Sequence, residues 1–492
     1  MKKQTRKVLF FCLLLSVSAC FASKPRPVMT GEMNGTGAVN KVVVDPGKPI
    51  HLMHPDFWGT NLLFWVDDDA SLQDGEIVRR LKEYKIRMLR YPGGTVADNF
   101  HWSTNKLDNV HMFPYEEGES QTDFEEFMQI CRKTGAVPGL VVNTETWAVR
   151  GDIPGGAHEA AEWLRYCRKK GYEVKYWEIG NETYWHPVMT AAEYADLVNI
   201  YADSLKAVDP SVLIGVNGHW DINFVGTRER IRENTYDEVI RLRRNINSKE
   251  DYKRYKDFVD ANKILPVTTG DSKWWPTIVE RCGHHVDMIV VHWYFSPEQL
   301  GIMSQKLSEV RNLFTSRFPG KSFVFNMSEY NTTQPSGIKQ DEHLYLTEAI
   351  GTMLKAKVDI ASFWPMRLQN YNKSTLLKYD NQQTSVLYQI YRQLSTNLKG
   401  PLVEAVGPAE IPAYASYDGT SGTLVLTGSK IDKTTPVTIR IKGDKKQFSS
   451  CSVWRITGQG TDYRKSEEVL QVQENCAVVD LGPLELVVAV FK

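Results

Sequence analysis

The sequence predicts an α/β protein, a (β/α)8 TIM barrel followed by a C-terminal antiparallel β-sandwich. Three observations predict it. Between residues 53 and 395, eight short apolar runs alternate with longer helical patterns, as in a parallel sheet whose crossovers are helices. No glycine-rich phosphate loop follows the first run, which disfavours an open, doubly wound sheet. From residue 396 the pattern changes to short β runs separated by Gly and Asp turns.

The chain opens on Lys2, Lys3, Arg6 and Lys7, followed by an apolar run over 8–17. That run is about half the roughly 20 residues a spanning helix needs, so residues 1–20 read as a signal peptide. Val17-Ser18-Ala19-Cys20 resembles a bacterial lipobox, in which cleavage leaves Cys20 N-terminal and lipid-modified. An ordinary secretory signal cut nearby is the alternative. The expectation is an exported bacterial lipoprotein, periplasmic or at the cell surface, anchored to the outer membrane. Residues 21–40 are polar and contain several Gly and Pro, the composition of a flexible tether. In 41–52, Val42-Val43-Val44 precedes the turn Asp45-Pro46-Gly47 and reads as a strand that joins the sandwich.

The barrel strands are expected at 57–63, 86–90, 136–142, 174–179, 212–216, 286–292, 322–327 and 360–364. The helices between and after them are expected at 74–84, 122–133, 158–170, 191–207, 297–314, 342–355 and 384–394; the first has Ile77 and Leu81 on one face. An insertion at 221–275 separates the fifth and sixth strands. Its charged part reads as solvated helical decoration on the C-terminal face, ahead of Trp274-Trp275-Pro276. In the tail, runs at 402–406, 413–417, 423–427, 436–441, 450–456 and 484–490 supply the sandwich over 396–492.

Composition narrows the function. Lys+Arg and Asp+Glu are 59 each, so nothing supports a nucleic-acid partner. The 13 Trp and 22 Tyr exceed what a core alone needs and suit stacking on sugar rings. Cys131, Cys167, Cys282, Cys451 and Cys476 are too few and too odd in number for a disulfide framework. The first three read as buried thiols; Cys451 and Cys476 share the β-rich tail and could pair. There is no CxxC or HExxH, and the His284-His285 pair lacks spaced partners, so no metal is expected.

The chemistry gathers at strand ends. Trp177-Glu178-Ile179-Gly180-Asn181-Glu182 closes strand four, and Ser328-Glu329-Tyr330-Asn331 closes strand seven. Strands four and seven face each other across a barrel mouth. Glu182 and Glu329 can therefore address one glycosidic bond from opposite sides, Glu182 as acid then base and Glu329 as nucleophile. No cofactor is needed. Asn181 is suited to bind a sugar hydroxyl. Glu178 lies within the strand and reads as support for the barrel interior. Arg90, in Arg90-Tyr91-Pro92-Gly93-Gly94, is placed to keep the nucleophile ionised. Tyr294 can hydrogen-bond Glu329, and His292 can bind a sugar hydroxyl or simply be a satisfied core histidine. Trp364 is the candidate sugar platform, with Phe64-Trp65 and Trp147 as alternatives; each is equally placed for core packing. Glu145 competes for a catalytic role and reads as a substrate-binding or supporting residue. Asp67-Asp68-Asp69 reads as a solvated loop.

Together these motifs resemble clan A glycoside hydrolases, and most of all family 51, the α-L-arabinofuranosidases. The resemblance spans roughly 57–365, and the tail ending Leu484-Glu485-Leu486-Val487-Val488 is similar to that family's C-terminal sandwich. It implies Glu182 as acid/base, Glu329 as nucleophile, Asn181 as partner of the 2-hydroxyl and Tyr294 as partner of the nucleophile. The expected function is retaining hydrolysis of plant or algal polysaccharide or its oligosaccharides. The chain departs from the family at Thr95-Val96-Ala97-Asp98, at Thr144-Glu145-Thr146-Trp147 and in the long insertion. These regions shape subsites, so a β-xylosidase, β-glucuronidase, galactanase or algal-polysaccharide hydrolase of the same clan remains the alternative. A glycan-binding lipoprotein without catalysis is the alternative of another class.

Overall fold

The computed structural model describes residues 40–66, 75–108, 121–265, 270–333, 341–368, 374–379, 383–443, 447–459 and 462–492. The signal, Cys20, nearly all of the tether and Asp67-Asp68-Asp69 lie outside the described residues. Among those described, no helix is long and apolar enough to cross a membrane.

The strands, in chain order, are β1 Asn40–Leu52, β2 Trp58–Asn61, β3 Met88–Tyr91, β4 Phe100–His101, β5 Lys106–Leu107, β6 Val137–Val142, β7 Tyr176–Ile179, β8 Leu213–His219, β9 Met288–Phe295, β10 Val324–Thr332, β11 Ile360–Phe363, β12 Pro401–Val406, β13 Ala413–Tyr417, β14 Gly422–Thr427, β15 Thr435–Ile441, β16 Ser450–Gln459, β17 Asp462–Gln471, β18 Cys476–Leu481 and β19 Leu486–Phe491. The helices are α1 Glu76–Tyr84, α2 Phe124–Thr134, α3 Glu145–Arg150, α4 Ile153–Lys170, α5 Ala191–Val208, α6 Tyr236–Arg244, α7 Lys249–Ala261, α8 Trp274–Arg281, α9 Leu300–Arg317, α10 Glu342–Lys355 and α11 Val386–Asn397.

Strands β2, β3, β6, β7, β8, β9, β10 and β11 close into a parallel barrel. Its strands are buried on both faces because helices cover the outside, which is why the sequence reads as unbroken apolar runs there. Local chemistry sets the helix ends. Asp123 and Glu126 cap α2 reciprocally, Thr190 and Glu193 do the same for α5, and left-handed Gly135 stops α2.

The remaining long strands form one sheet in the order β17-β16-β19-β14-β13-β12-β1-β15-β18. It is antiparallel except where β1 runs parallel to β15, a departure from a purely antiparallel sandwich. Tyr414 of this sheet presses so closely on Gly351 of α10 that a side chain there would overlap its ring. Two sheet strands, β17 and β18, were not read from the sequence; β17 is mostly exposed and charged, so it carries no apolar alternation. Cys451 and Cys476 do not pair: they lie on β16 and β18, far apart in the sheet order, and both are free thiols.

The insertion is more than decoration. Ile231, Val239, Leu242, Ile246, Tyr255 and Val259 give it a small core of its own. From α6 it sends Arg243 into the protein, 1% exposed.

Candidate active site

Glu182 follows β7 and Glu329 lies on β10, the fourth and seventh barrel strands. Carboxylate oxygens of the two lie within 4.8 Å of each other, and within the same distance of a His292 ring nitrogen. The turn that delivers Glu182 is held tightly. Asn217 donates from Nδ2 to the carbonyls of Ile179 and Gly180 (2.8 and 3.0 Å) and accepts from the Thr183 amide. Asp98 accepts from the Asn181 amide at 3.2 Å. Glu182 itself sits in the left-handed region at φ 47°, a conformation costing a non-glycine residue about 1 kcal/mol that the surrounding bonds enforce.

Arg90 anchors the centre. Its guanidinium makes two 2.9 Å bonds to Glu178, one of 2.7 Å to Glu329 Oε1, one of 3.0 Å to Asn61 Oδ1 and one of 2.8 Å to Asn181 Oδ1. Arginine can only donate, so the Asn181 atom facing it is the oxygen. The Asn181 amide nitrogen is therefore turned away, and it is buried with no partner among the described residues. A substrate hydroxyl would complete it. Tyr294 donates to Glu329 Oε2 at 2.8 Å. Trp364 packs with Tyr294, Leu63 and Val66, close over Gly93 and Gly94, whose positive φ and lack of side chain admit the indole.

His292 reaches Glu182 at 3.0 Å and Ser328 Oγ at 2.8 Å, with Glu329 and Glu178 at 3.7 and 3.8 Å. Burial lowers its pKa, but Glu329, Glu178 and Glu182 outweigh it and raise it to about 9. Burial also pushes both carboxyls up. At Glu182 the His292 hydrogen bond and charge win, holding it below the usual range. At Glu329 burial, joined by the Glu182 charge, wins over His292, Arg90 and Tyr294, and the carboxyl lies above its usual range. Arg90 pulls Glu329 towards the ionised form, as its expected placement implies, but Glu178 takes two of its bonds and burial outweighs it. Two such close carboxyls titrate as a pair.

Two other expected residues are held by protein partners. Glu145 has the supporting place, one of the two expected for it. Arg243 takes its Oε1 at 2.5 Å and His186 its Oε2. Burial pushes Glu145 up, yet Arg243 and His186 hold it well below the usual carboxylate range. Trp147 donates to Glu159 at 2.8 Å and lies under Arg150, so its ring is occupied by protein. The structure adds residues the sequence did not single out. Asp98 is pushed up to about 7, chiefly by burial, despite His186 beside it at 3.8 Å. Asn61, Asp98, His186, Asn217 and Arg243 support the site from separate elements, and no local motif ties them together. The apolar spacing of Val239, Leu242 and Ile246 is the signal that α6 packs inward.

Asp98, Glu145 and His186 bring ligand atoms within 4.8 Å, as do Glu182, His292 and Glu329. In the first group Arg243 already balances Glu145; in the second a cation would compete with His292 and Arg90. His284 and His285 belong to neither.

A closed parallel barrel with glutamates at its fourth and seventh strands has the architecture of clan A glycoside hydrolases. Within that clan the chain resembles family 51. A probable α-L-arabinofuranosidase C of Aspergillus fumigatus is 29% identical over 216 residues, 36% of each chain. An intracellular exo-α-L-arabinofuranosidase of Bacteroides ovatus is 21% identical over 265 residues, 47% of this chain and 40% of that one. The chain thus spans about a third of the length of the first curated relatives it matches. No family model matches. The family 51 arabinofuranosidase of Thermotoga petrophila RKU-1 shares the fold, with a TM-score of 0.66 at 18% identity over 92% of this chain and all of that one.

Proposed function

We propose that this chain is a retaining glycoside hydrolase that removes α-L-arabinofuranosyl groups from plant or algal polysaccharide or its oligosaccharides. The observation that carries this reading is the spacing of Glu182 and Glu329, oxygens within 4.8 Å at opposed strand ends. Retaining enzymes hold their carboxyls at about 5–5.5 Å, whereas inverting ones leave room for a water between them at about 6.5–9.5 Å.

In the first step Glu329 attacks the anomeric carbon and forms a glycosyl ester. The bond to the leaving oxygen breaks, and that oxygen takes the proton shared by the pair and His292, delivered by Glu182. In the second step Glu182 removes a proton from water, which attacks the same carbon and frees Glu329. Arg90 and Tyr294 donate to the nucleophile when it carries the charge, and the unpartnered Asn181 amide is available to a sugar hydroxyl. The two carboxylates suffice without a cofactor. Export and lipid attachment at Cys20 complete the proposal, placing the enzyme where polymer is found.

The test is NMR of the first sugar released from aryl α-L-arabinofuranoside, with Glu329→Ala as control and other aryl glycosides as a panel. The retained anomer, absent in the variant, is expected. An inverted first product would overturn the mechanism, and release only from another glycoside would overturn the sugar.

A further inference from the structure

At the N-terminal ends of the barrel strands, away from Glu182 and Glu329, is a cavity that no role described so far uses. Its volume is about 500 Å3, within the range of about 300–1,000 Å3 typical of small-molecule sites. It lies where the chain crosses between sheet and barrel. Residues 53–57 lead from β1 into β2, and 398–400 lead from α11 into β12; Met53, Pro55, Leu398 and Gly400 of these crossings line the cavity. Its walls are held by protein contacts. Leu52 pairs with Pro401, Arg87 Nε donates to the Pro55 carbonyl at 3.1 Å, and Ser395 Oγ donates to the Tyr84 carbonyl. These contacts tie both crossings to the barrel, so the space is preformed. With Trp58 and Ile86 the lining is largely apolar, and Leu52, 69% exposed, carries it out to solvent.

The charge around this cavity is one-sided. Lys82, Lys85, Arg87 and Lys399 line it, and no carboxylate does. All four cations are exposed, and none forms an ion pair with a described residue. The acids next to them in the chain are committed elsewhere: Asp56 accepts from Tyr176 at 2.9 Å, and Glu83 accepts from Arg79 and Tyr388. In a chain with 59 charges of each sign, four unpaired cations around one apolar hollow are a local excess that an anion would balance. Lys85 adds a second observation. It ends α1 at φ 56°, in the left-handed region, where α2, α3 and α4 place Gly135, Gly151 and Gly171. A lysine is thus held where glycine is the easier residue, and such strain collects where a side chain has another use.

We propose that this cavity binds a small amphiphilic anion, an apolar body carrying one carboxylate or phosphate group. The apolar lining takes the body and the cations take the charge. A recessed hollow suits a discrete molecule that enters it, not the flat surface of a bilayer. A molecule seated there touches both crossings, so it stabilises the folded chain by mass action. The proposal is independent of hydrolysis, because the cavity and the two glutamates lie at opposite ends of the barrel.

The experiment is calorimetric titration of the full chain with cinnamate and phenyl phosphate, beside cinnamyl alcohol, which lacks the charge, and acetate, which lacks the body. At least one of the two amphiphilic anions is expected to bind with a sub-millimolar Kd and to raise Tm, with the alcohol and acetate weaker by about tenfold or more. Lys82→Glu/Lys399→Glu should weaken binding by about tenfold. Lys85→Gly should weaken it several-fold while leaving Tm of the unliganded chain unchanged or higher, which separates the charge from folding. Binding of neither anion, equal binding of cinnamate and its alcohol, or unchanged affinity in the double variant overturns the site. Sedimentation with phosphatidylglycerol vesicles that the double variant loses, when neither anion binds in solution, would assign the cations to a lipid surface and overturn the cavity as well.

Discussion

Arg90 Nη1 donates to Glu329 Oε1 across 2.7 Å, and both side chains are almost wholly buried. The same guanidinium holds Glu178 with two bonds, so one cation serves two buried carboxylates. Arg90→Met leaves both without it. A loss of about 3–5 kcal/mol in unfolding free energy is expected, because breaking a buried pair strands a charge. Arg90→Lys should recover only part, since a point charge cannot fork to five acceptor oxygens. Denaturant unfolding of the three proteins measures this; a wild-type midpoint for Arg90→Met would contradict it.

Arg243 joins the insertion to the barrel through Glu145, and donates to Asn99 at 2.8 Å as well. Arg243→Ala should destabilise by a few kcal/mol and raise hydrogen exchange across α6 and α7. Glu145→Gln on the same background should cost much less than it does alone, the mark of coupled partners. Additive losses in the double variant would show that the contact holds nothing.

Asp98 gives the protein a pH dependence of definite sign. Burial raises its carboxyl from 3.8 to about 7, so the folded chain binds this proton more tightly than the unfolded one. Its contribution to stability is fully present below about pH 4 and lost as pH rises to 7. Asp98→Asn should therefore flatten the stability profile over that window, by something on the order of a few kcal/mol. His186, raised to about 9, acts in the same sense, but its loss falls mainly above pH 6.5. Melting curves between pH 4 and 6 isolate Asp98, and parallel profiles for the two proteins would rule it out.

His292 sets the proton of the proposed acid. Burial pushes the Glu182 carboxyl up and the His292 cation pulls it down. Removing the cation in His292→Gln leaves burial opposed only by the smaller pulls of His186 and Arg90, so the acid keeps its proton to higher pH. The alkaline limb of kcat/KM should move up by about one unit while kcat falls. A limb that stays in place would mean His292 only packs.

Lipid attachment is checked by partition. Wild type produced in a bacterial host is expected in the membrane fraction and in the detergent phase, and Cys20→Ala in the aqueous phase. Wild type found in the aqueous phase would remove the anchor.

The barrel was legible because its strands are buried on both faces and its helices are not, so the alternation survives in the text. Glu182, Glu329 and Tyr294 were legible for a similar reason: strand ends are fixed by the apolar runs before them, and the structure brings these three side chains together. Asp98, His186 and Arg243 meet from three distant elements through long-range contacts that no window of sequence contains. Glu145 read as a substrate-binding or supporting residue because its strand end is right; only the insertion's packing, which brings Arg243 onto it, decides for support.

Lys48 and Glu404 are 356 residues apart in the chain and 2.9 Å apart in the fold, because β1 runs between β12 and β15 in the interior of the sheet. During synthesis β1 therefore waits for partners made after the whole barrel. At about 5–20 residues per second that wait is roughly 20–70 s. Until then β1 is an unpaired edge with nothing to close on. A fragment beginning at residue 396 would carry the opposite defect, an open slot between β12 and β15 that only residues 40–52, supplied as a separate peptide, can fill.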